Sequence, residues 1–191
     1  MTSPSVAYIL CGGASKRMQR DKATTPFQGK PLVAWIMETC HQANLSPILV
    51  HKKNSASALY DLCEHHILDN AENFHPLYGI IASMEDAVQK TQPSILVLPC
   101  DTPFLSLQSL ISLQQSTAPS VGVSTDSLDN SIHTHPLIAH YSIHTLDRAK
   151  ELATQEAPVR EFAKLANWVY LSEKEVYNCN YPSDVLAHQP T

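Results

Sequence analysis

The chain has 191 residues, 43% of them hydrophobic and 16% charged, with a formal net charge of -5 at pH 7. This balance fits one globular domain over residues 1–191 and excludes a disordered composition. No apolar run approaches the ~20 residues that a membrane span needs, and the acidic balance opposes binding to nucleic acid.

The first element expected is a strand over Val6 to Cys11, an uncharged apolar run of the kind buried on both faces of a sheet. Gly12 and Gly13 follow directly, where two glycines let the backbone turn sharply and bring its N–H groups close to a ligand. Lys16, Arg17, Arg20 and Lys22 crowd the next short loop. A basic loop in an acidic chain points to a small anionic ligand, and polyphosphate is the expected one. No Gly-Lys-Ser/Thr opens a helix here and no GxGxxG is present, so a P-loop ATPase and a dinucleotide-binding oxidoreductase both lose support.

Pro31 starts a helix whose Leu32, Trp35, Ile36 and Thr39 share a face and which ends near Ala43-Asn44. A strand from Pro47 to His51, a polar loop, a helix through Leu59 and Leu62, and a short strand from His66 to Asp69 complete the first half. Alternation of strand and helix predicts a three-layer α/β/α fold around a mainly parallel twisted sheet, with ligands at the C-terminal ends of the strands. Asp69 therefore stands on the functional rim, although the same residue type also suits a turn or cap. A helix begins at Pro76, with its N-terminus aimed at that rim.

Ile95 to Pro99 is a wholly apolar strand, and Asp101 lies just beyond its end. A carboxylate there is placed either to hold Mg2+ or to cap the helix begun by Pro103 and Ser106. Ser120 to Ser124 is the next strand, followed by a polar loop crossing the rim and a return strand, Pro136 to Tyr141, free to run antiparallel. Helices over Ile143 to Leu152 and from Pro158 through Phe162 and Leu165 precede a last strand, Trp168 to Leu171. Asn178 and Asn180 come before a proline-started terminal helix.

The five cysteines are scattered, never in CxxC spacing, and read as reduced, mostly buried thiols; the ten histidines lack zinc-type spacing and read as ordinary polar residues. The N-terminus has no basic region before its apolar run, so a cytoplasmic location is expected.

LCGGASKRMQRDK followed by FQGKPL resembles the signature of nucleotidyltransferases that activate a phosphorylated acceptor with a nucleoside triphosphate. The double glycine is similar to that of the molybdenum cofactor guanylyltransferases, and HPLYG, PCDTPFL and NCNYPSD follow in that family's order. The resemblance implies a Rossmann-like nucleotidyltransferase fold, GTP and molybdopterin cofactor as substrates, Mg2+ as cofactor, and proteins that deliver or accept the cofactor as candidate partners. It implies that Leu10, Cys11, Gly12 and Gly13 seat the nucleotide and that Arg17 and Lys22 draw charge off the triphosphate. Asp101 would hold the metal, Asp69 and Asn54 would lie near guanine and ribose, and Asn180 would add a ligand contact. Gln19 and the run His75-Pro76-Leu77-Tyr78-Gly79 depart from the family's glycine-rich pattern. Cytidylyl transfer, a sugar-phosphate acceptor and a GTP-binding partner without turnover remain the alternatives.

Overall fold

The computed structural model describes residues 4–12, 21–53, 55, 57–180 and 184. Its strands are β1 (Val6–Leu10), β2 (Pro26–Phe27), β3 (Lys30–Pro31), β4 (Ser46–His51), β5 (His66–Leu68), β6 (Ser94–Pro99), β7 (Ser120–Thr125), β8 (Ile132–Ser142) and β9 (Asn167–Tyr170). Its helices are α1 (Leu32–Gln42), α2 (Pro76–Gln89), α3 (Leu107–Gln115), α4 (Leu146–Thr154) and α5 (Val159–Ala163). Seven strands form one sheet in the order β5-β4-β1-β6-β8-β7-β9, and β2 and β3 pair in a separate small hairpin. Within the large sheet only β8 pairs antiparallel with its neighbours, β6 and β7. The expected α/β class and the antiparallel return strand both hold.

Period-two alternation explains why the central strands are apolar throughout. Ala7, Ile9, Leu49, Leu96 and Leu98 face one core with Val33, Ile36 and Cys40 of α1 and Leu110 and Leu113 of α3. Tyr8, Leu10, Ile48, Val50, Ile95 and Val97 face the other, with α2, α4 and α5. Each strand residue thus has a buried side available whichever way it points, which leaves no position for a charge. Gly79 is favoured by this packing, since a Cβ there would come within 3.2 Å of the Leu10 side chain. Without a Cβ at this position α2 lies against the end of β1 without displacing Leu10, which a larger residue would push aside by a few tenths of an ångström.

Several expectations need correction. The helix through Leu59 and Leu62 is a single 3-10 turn, Ser57–Leu59, in which Leu59 alone is buried. One anchoring residue gives a short segment no apolar face to stabilise a longer helix. The polar loop across the rim is shorter than expected, because β8 starts at Ile132 and pairs with β7 as far as Thr125. Polar residues at 133–135 form a strand here because the ladder satisfies their backbone even where side chains face solvent. The helix expected from Ile143 begins as a 3-10 turn, Ile143–Thr145, before α4, and α5 stops at Ala163, leaving Leu165 92% exposed. Pro103 lies outside α3, whose cap is Ser106 accepting from Ser109 N at 3.1 Å. The terminal helix expected after Pro182 falls outside the described residues, save Asp184.

Candidate active site

The chain leaves β1 for β4 and β5 on one side and returns to β6 on the other, so the strand order reverses at the C-terminal end of β1. In open α/β sheets that reversal opens the ligand crevice. Cys11 N donates to Val50 O at 2.8 Å, and Cys100 N to Leu10 O at 3.3 Å, which keeps the three strand ends level just where the chain turns away. Leu10 and Cys11 are buried beneath this rim. Gly12 stands on it, and a Cβ there would meet nothing within 4 Å among the described residues. Gly13, Arg17 and Asn54, like Lys16, Gln19 and Arg20, lie outside the described residues.

Where the chain is next described, Asp21 holds a tight turn. Its Oδ1 accepts from Ala23 N at 3.0 Å, and its carbonyl accepts from Thr25 Oγ1 at 3.0 Å. The turn delivers Lys22 across the crevice to Asp101, just beyond β6, where the ammonium forms an ion pair with Oδ2. Lys22 Nζ also donates to Asn180 Oδ1 at 2.7 Å. Three segments far apart in sequence thus share one ammonium. The backbone locks the same junction, with Cys179 N donating to Asp101 O at 3.0 Å and Asn180 N to Asp184 Oδ2 at 2.8 Å. Asp101 takes no part in capping α3, because Ser106 fills that position. Beside it Thr102 is wholly buried, and its Oγ1 has no hydrogen-bond partner among the described residues.

A second lysine and carboxylate meet on the other side of β1. Lys52 follows β4 and Asp69 follows β5; Nζ lies 2.8 Å from Oδ2. Asp69 N donates to His51 O at 2.9 Å, which ties the two strand ends together. The helix N-terminus expected to face the rim is α2, and its first turn is already partly satisfied: the His75 imidazole accepts from Leu77 N through Nδ1 at 3.3 Å. The LysLysAsnSer loop gave no sequence signal beyond polarity, although a lysine directly after an apolar strand marks the same rim as an aspartate there.

Glu175 is a further residue that motif reading passed over. Oε1 accepts from Ser106 N at 3.2 Å, while Oε2 accepts from Ser172 N at 3.0 Å and Ser172 Oγ at 2.8 Å. Burial pushes this carboxyl up, but hydrogen bonds from Ser106, Ser109 and Ser172 outweigh it and bring the pKa down to about 2. An ionised Glu175 fastens the start of α3 to the segment that carries Asn180.

Two thiols near the site, Cys11 and Cys179, are held towards their protonated form. A hydrogen bond with Cys100, followed by burial, holds the Cys11 thiol well above the ordinary range. Burial, followed by the Asp184 and Asp101 carboxylates, pushes Cys179 up to about 11. What the described residues offer is a fixed ammonium between oxygen acceptors beside Gly12, an arrangement suited to positioning and neutralising phosphate.

Residues 7–169 match the family model of the MobA-like NTP transferase domain. The chain belongs to that family. It is 34% identical over 112 residues to the molybdenum cofactor guanylyltransferase of Ectopseudomonas mendocina, covering 58% of this chain and 54% of that protein. It is 32% identical over 137 residues to the probable molybdenum cofactor guanylyltransferase of Flavobacterium johnsoniae, covering 71% and 67%. The MobA-like chain thus spans about half to two thirds of the length of these curated relatives. Among solved structures it is similar to molybdopterin-guanine dinucleotide biosynthesis protein A from Archaeoglobus fulgidus, with a TM-score of 0.69 and 20% identity over 95% of both chains. At that identity the likeness is one of fold. No helix among the described residues of this MobA-like chain is long and apolar enough to cross a membrane.

Proposed function

We propose that the chain transfers GMP from GTP to the terminal phosphate of molybdopterin cofactor, giving the guanine dinucleotide form and pyrophosphate, as a single domain working in the cytoplasm. The observation that carries this reading is the meeting of Lys22, Asp101 and Asn180 at the crevice where the strand order reverses. Membership of the MobA-like family supports the reaction class, and the names of the curated relatives support the choice of substrates.

A terminal oxygen of the acceptor phosphate attacks the α-phosphorus of GTP in line. One P–O bond forms, the bond from the α-phosphorus to the bridging oxygen breaks, and pyrophosphate leaves with that electron pair. An ionised phosphate needs no base to make it a nucleophile, so the protein's task is alignment and charge neutralisation. Leu10, Cys11, Gly12 and Gly13 form the seat of the nucleotide, where glycines without Cβ atoms admit phosphate oxygens close to the backbone. Lys22 and Arg17 take up the charge of the triphosphate. Asp101 and Asn180 hold the Lys22 ammonium at a fixed place, so its ordering cost is met before the substrate arrives.

Asp101 is also the residue to hold Mg2+. Its Oδ1 accepts no hydrogen bond among the described residues, and one such carboxylate suits an ion whose other ligands are substrate phosphates. When bound, the ion supplies further neutralisation of the reacting phosphates. Asp69 and Asn54 are the residues this reading assigns to guanine and ribose. Pyrophosphate release measured with each of the four common nucleoside triphosphates, with and without molybdopterin, tests the proposal. Release that needs both GTP and the acceptor is expected. Release with CTP alone among the nucleotides would refute guanylyl transfer, and GTP binding without release would make the chain a binding partner.

A further inference from the structure

The carboxylate at the base end of the proposed site is already committed. Asp69 Oδ2 takes the Lys52 ammonium at 2.8 Å, and Oδ1 accepts from Ala71 N at 3.0 Å. Lys52 is committed as well, since its three N–H bonds are matched by Asp69 Oδ2, Ala71 O at 2.6 Å and Asn73 O at 2.9 Å. The two side chains are 12% and 9% exposed, so water does little to loosen the pair. Phe74 and Tyr78 place their rings 5.6 and 5.9 Å from the same ammonium, within reach of a cation–π contact. The backbone of Lys52 is held too, because the His51 imidazole donates from Nδ1 to Lys52 O at 3.0 Å.

Guanine presents N1–H and an exocyclic amine on one edge, and a free carboxylate is the natural acceptor for both. Here that acceptor carries an ammonium. Each oxygen already accepts one bond, so guanine would have to share a carboxylate whose charge a nearly buried ammonium has balanced, and its N–H donors gain less from such a neutralised acceptor than from a free one. We propose that Lys52 is a positioning residue that locks the 69–75 loop through Asp69, Ala71 and Asn73, and that this chain selects its base by the shape and backbone of that locked loop rather than by the charge of Asp69. The inference rests on the nucleotidyl-transfer reading for its ligand, and the lock itself can be tested without turnover.

GTP and XTP separate the two ways of reading the base, because xanthine carries a carbonyl acceptor where guanine has its 2-amino donor. Equilibrium binding of both nucleotides is measured on the full chain as wild type, Asp69→Asn, Lys52→Met and the double variant, with melting temperatures on the same preparations. The lock predicts that the GTP to XTP affinity ratio stays within threefold of wild type in Asp69→Asn, although both affinities fall. It also predicts that the melting temperature of the double variant is no lower than that of the worse single variant, because the two residues act as one unit. Lys52→Arg, which keeps the cation, restores affinity for both nucleotides better than Lys52→Met does. A tenfold or larger swing of Asp69→Asn towards XTP would overturn the proposal by showing that the carboxylate reads guanine. Additive melting-temperature losses would overturn the lock whether or not nucleotide binds. Wild-type chain that binds GTP but releases no pyrophosphate with molybdopterin would refute the transfer reaction and leave this inference standing.

Discussion

Asp101→Asn divides the site's chemistry from its architecture. Asparagine is nearly the same size, its Oδ1 still accepts from Lys22, and the Cys179 N–H bond to the residue 101 carbonyl is a backbone contact that the substitution does not touch. The helix cap is unaffected because Ser106 provides it. What is lost is one negative charge beside an ammonium whose side chain is 19% exposed, against 12% for its partner. Surface pairs contribute about 0–1 kcal/mol and breaking a buried pair costs about 3–5 kcal/mol, so a pair at this depth is expected to lose about 1–3 kcal/mol. In a domain of this size 1 kcal/mol moves the melting point by about 2–4 °C, so the variant should melt roughly 2–12 °C lower and remain folded at 25 °C. Single-turnover pyrophosphate release should fall by orders of magnitude, because the metal's anionic ligand is lost while Lys22 keeps its acceptors. A folded Asp101→Asn protein with wild-type turnover at limiting Mg2+ would refute the assignment of metal and chemistry to this rim.

Lys22→Ala should cut turnover as deeply as Asp101→Asn, and the double variant little further, whereas Lys90→Ala removes only an exposed pair to Asp86 and should leave turnover unchanged; equal rates for Lys22→Ala and Lys90→Ala would refute the role of the basic loop. GTP with Mg2+ should raise the melting temperature more than CTP, since a ligand at 100 times its Kd stabilises the folded chain by about 2.7 kcal/mol, and an equal shift with CTP in thermal scans would count against guanine. Glu175 has its pKa lowered from 4.5 to about 2 in the folded chain, so its stabilisation is full above 4.5 and is lost as pH falls through about 2. The melting-temperature gap between wild type and Glu175→Gln should therefore be widest near neutral pH and narrow between pH 4.5 and 3; a gap independent of pH would show that charge is not what fastens this segment.

The fold was legible because burial on both faces leaves a strong signature. Val6 to Cys11 and Ile95 to Pro99 are apolar at every position, and strands of that kind occur where helices cover both sides of a parallel sheet. Asp69 and Asp101 were legible for the same reason, since a carboxylate at the end of an uninterrupted apolar run is a strand-end residue. The segment after β4 was misread because Leu59 and Leu62 have helical spacing, and spacing does not reveal how little apolar surface lies above it. Lys52 and Glu175 were invisible for a different reason. Their roles come from partners, Asp69 with the 71–73 carbonyls in one case and Ser106 with Ser172 in the other, and no local pattern announces a contact across 69 residues. Asn180 was placed by motif order, and only the fold shows that it shares an ammonium with a lysine 158 residues earlier.

The two lysine pairs bracket β1, Lys22 with Asp101 towards β6 and Lys52 with Asp69 towards β4 and β5. Each pair is electrically neutral, so this part of the rim presents no net positive charge. A triphosphate carries several negative charges, and a crevice of neutral pairs in a chain of net charge -5 cannot attract it from a distance. The attraction has to come from cations beyond these pairs, and the sequence supplies Lys16, Arg17 and Arg20 in the loop between the glycines and Lys22. Capture and alignment are then carried by different residues of one motif. Removing charge from Lys16 or Arg20 should lower the rate of GTP association and flatten its dependence on salt, because steering is screened within about 8 Å at physiological ionic strength. Replacing Lys22 and Asp101 together, by Met and Asn, leaves the net charge of the rim unchanged, so association rates should stay nearly intact while the chemical step suffers. Stopped-flow association at two salt concentrations separates these effects, and a Lys22→Met/Asp101→Asn variant that binds GTP slowly with weakened salt dependence would show that the pair opens to meet its ligand rather than waiting closed.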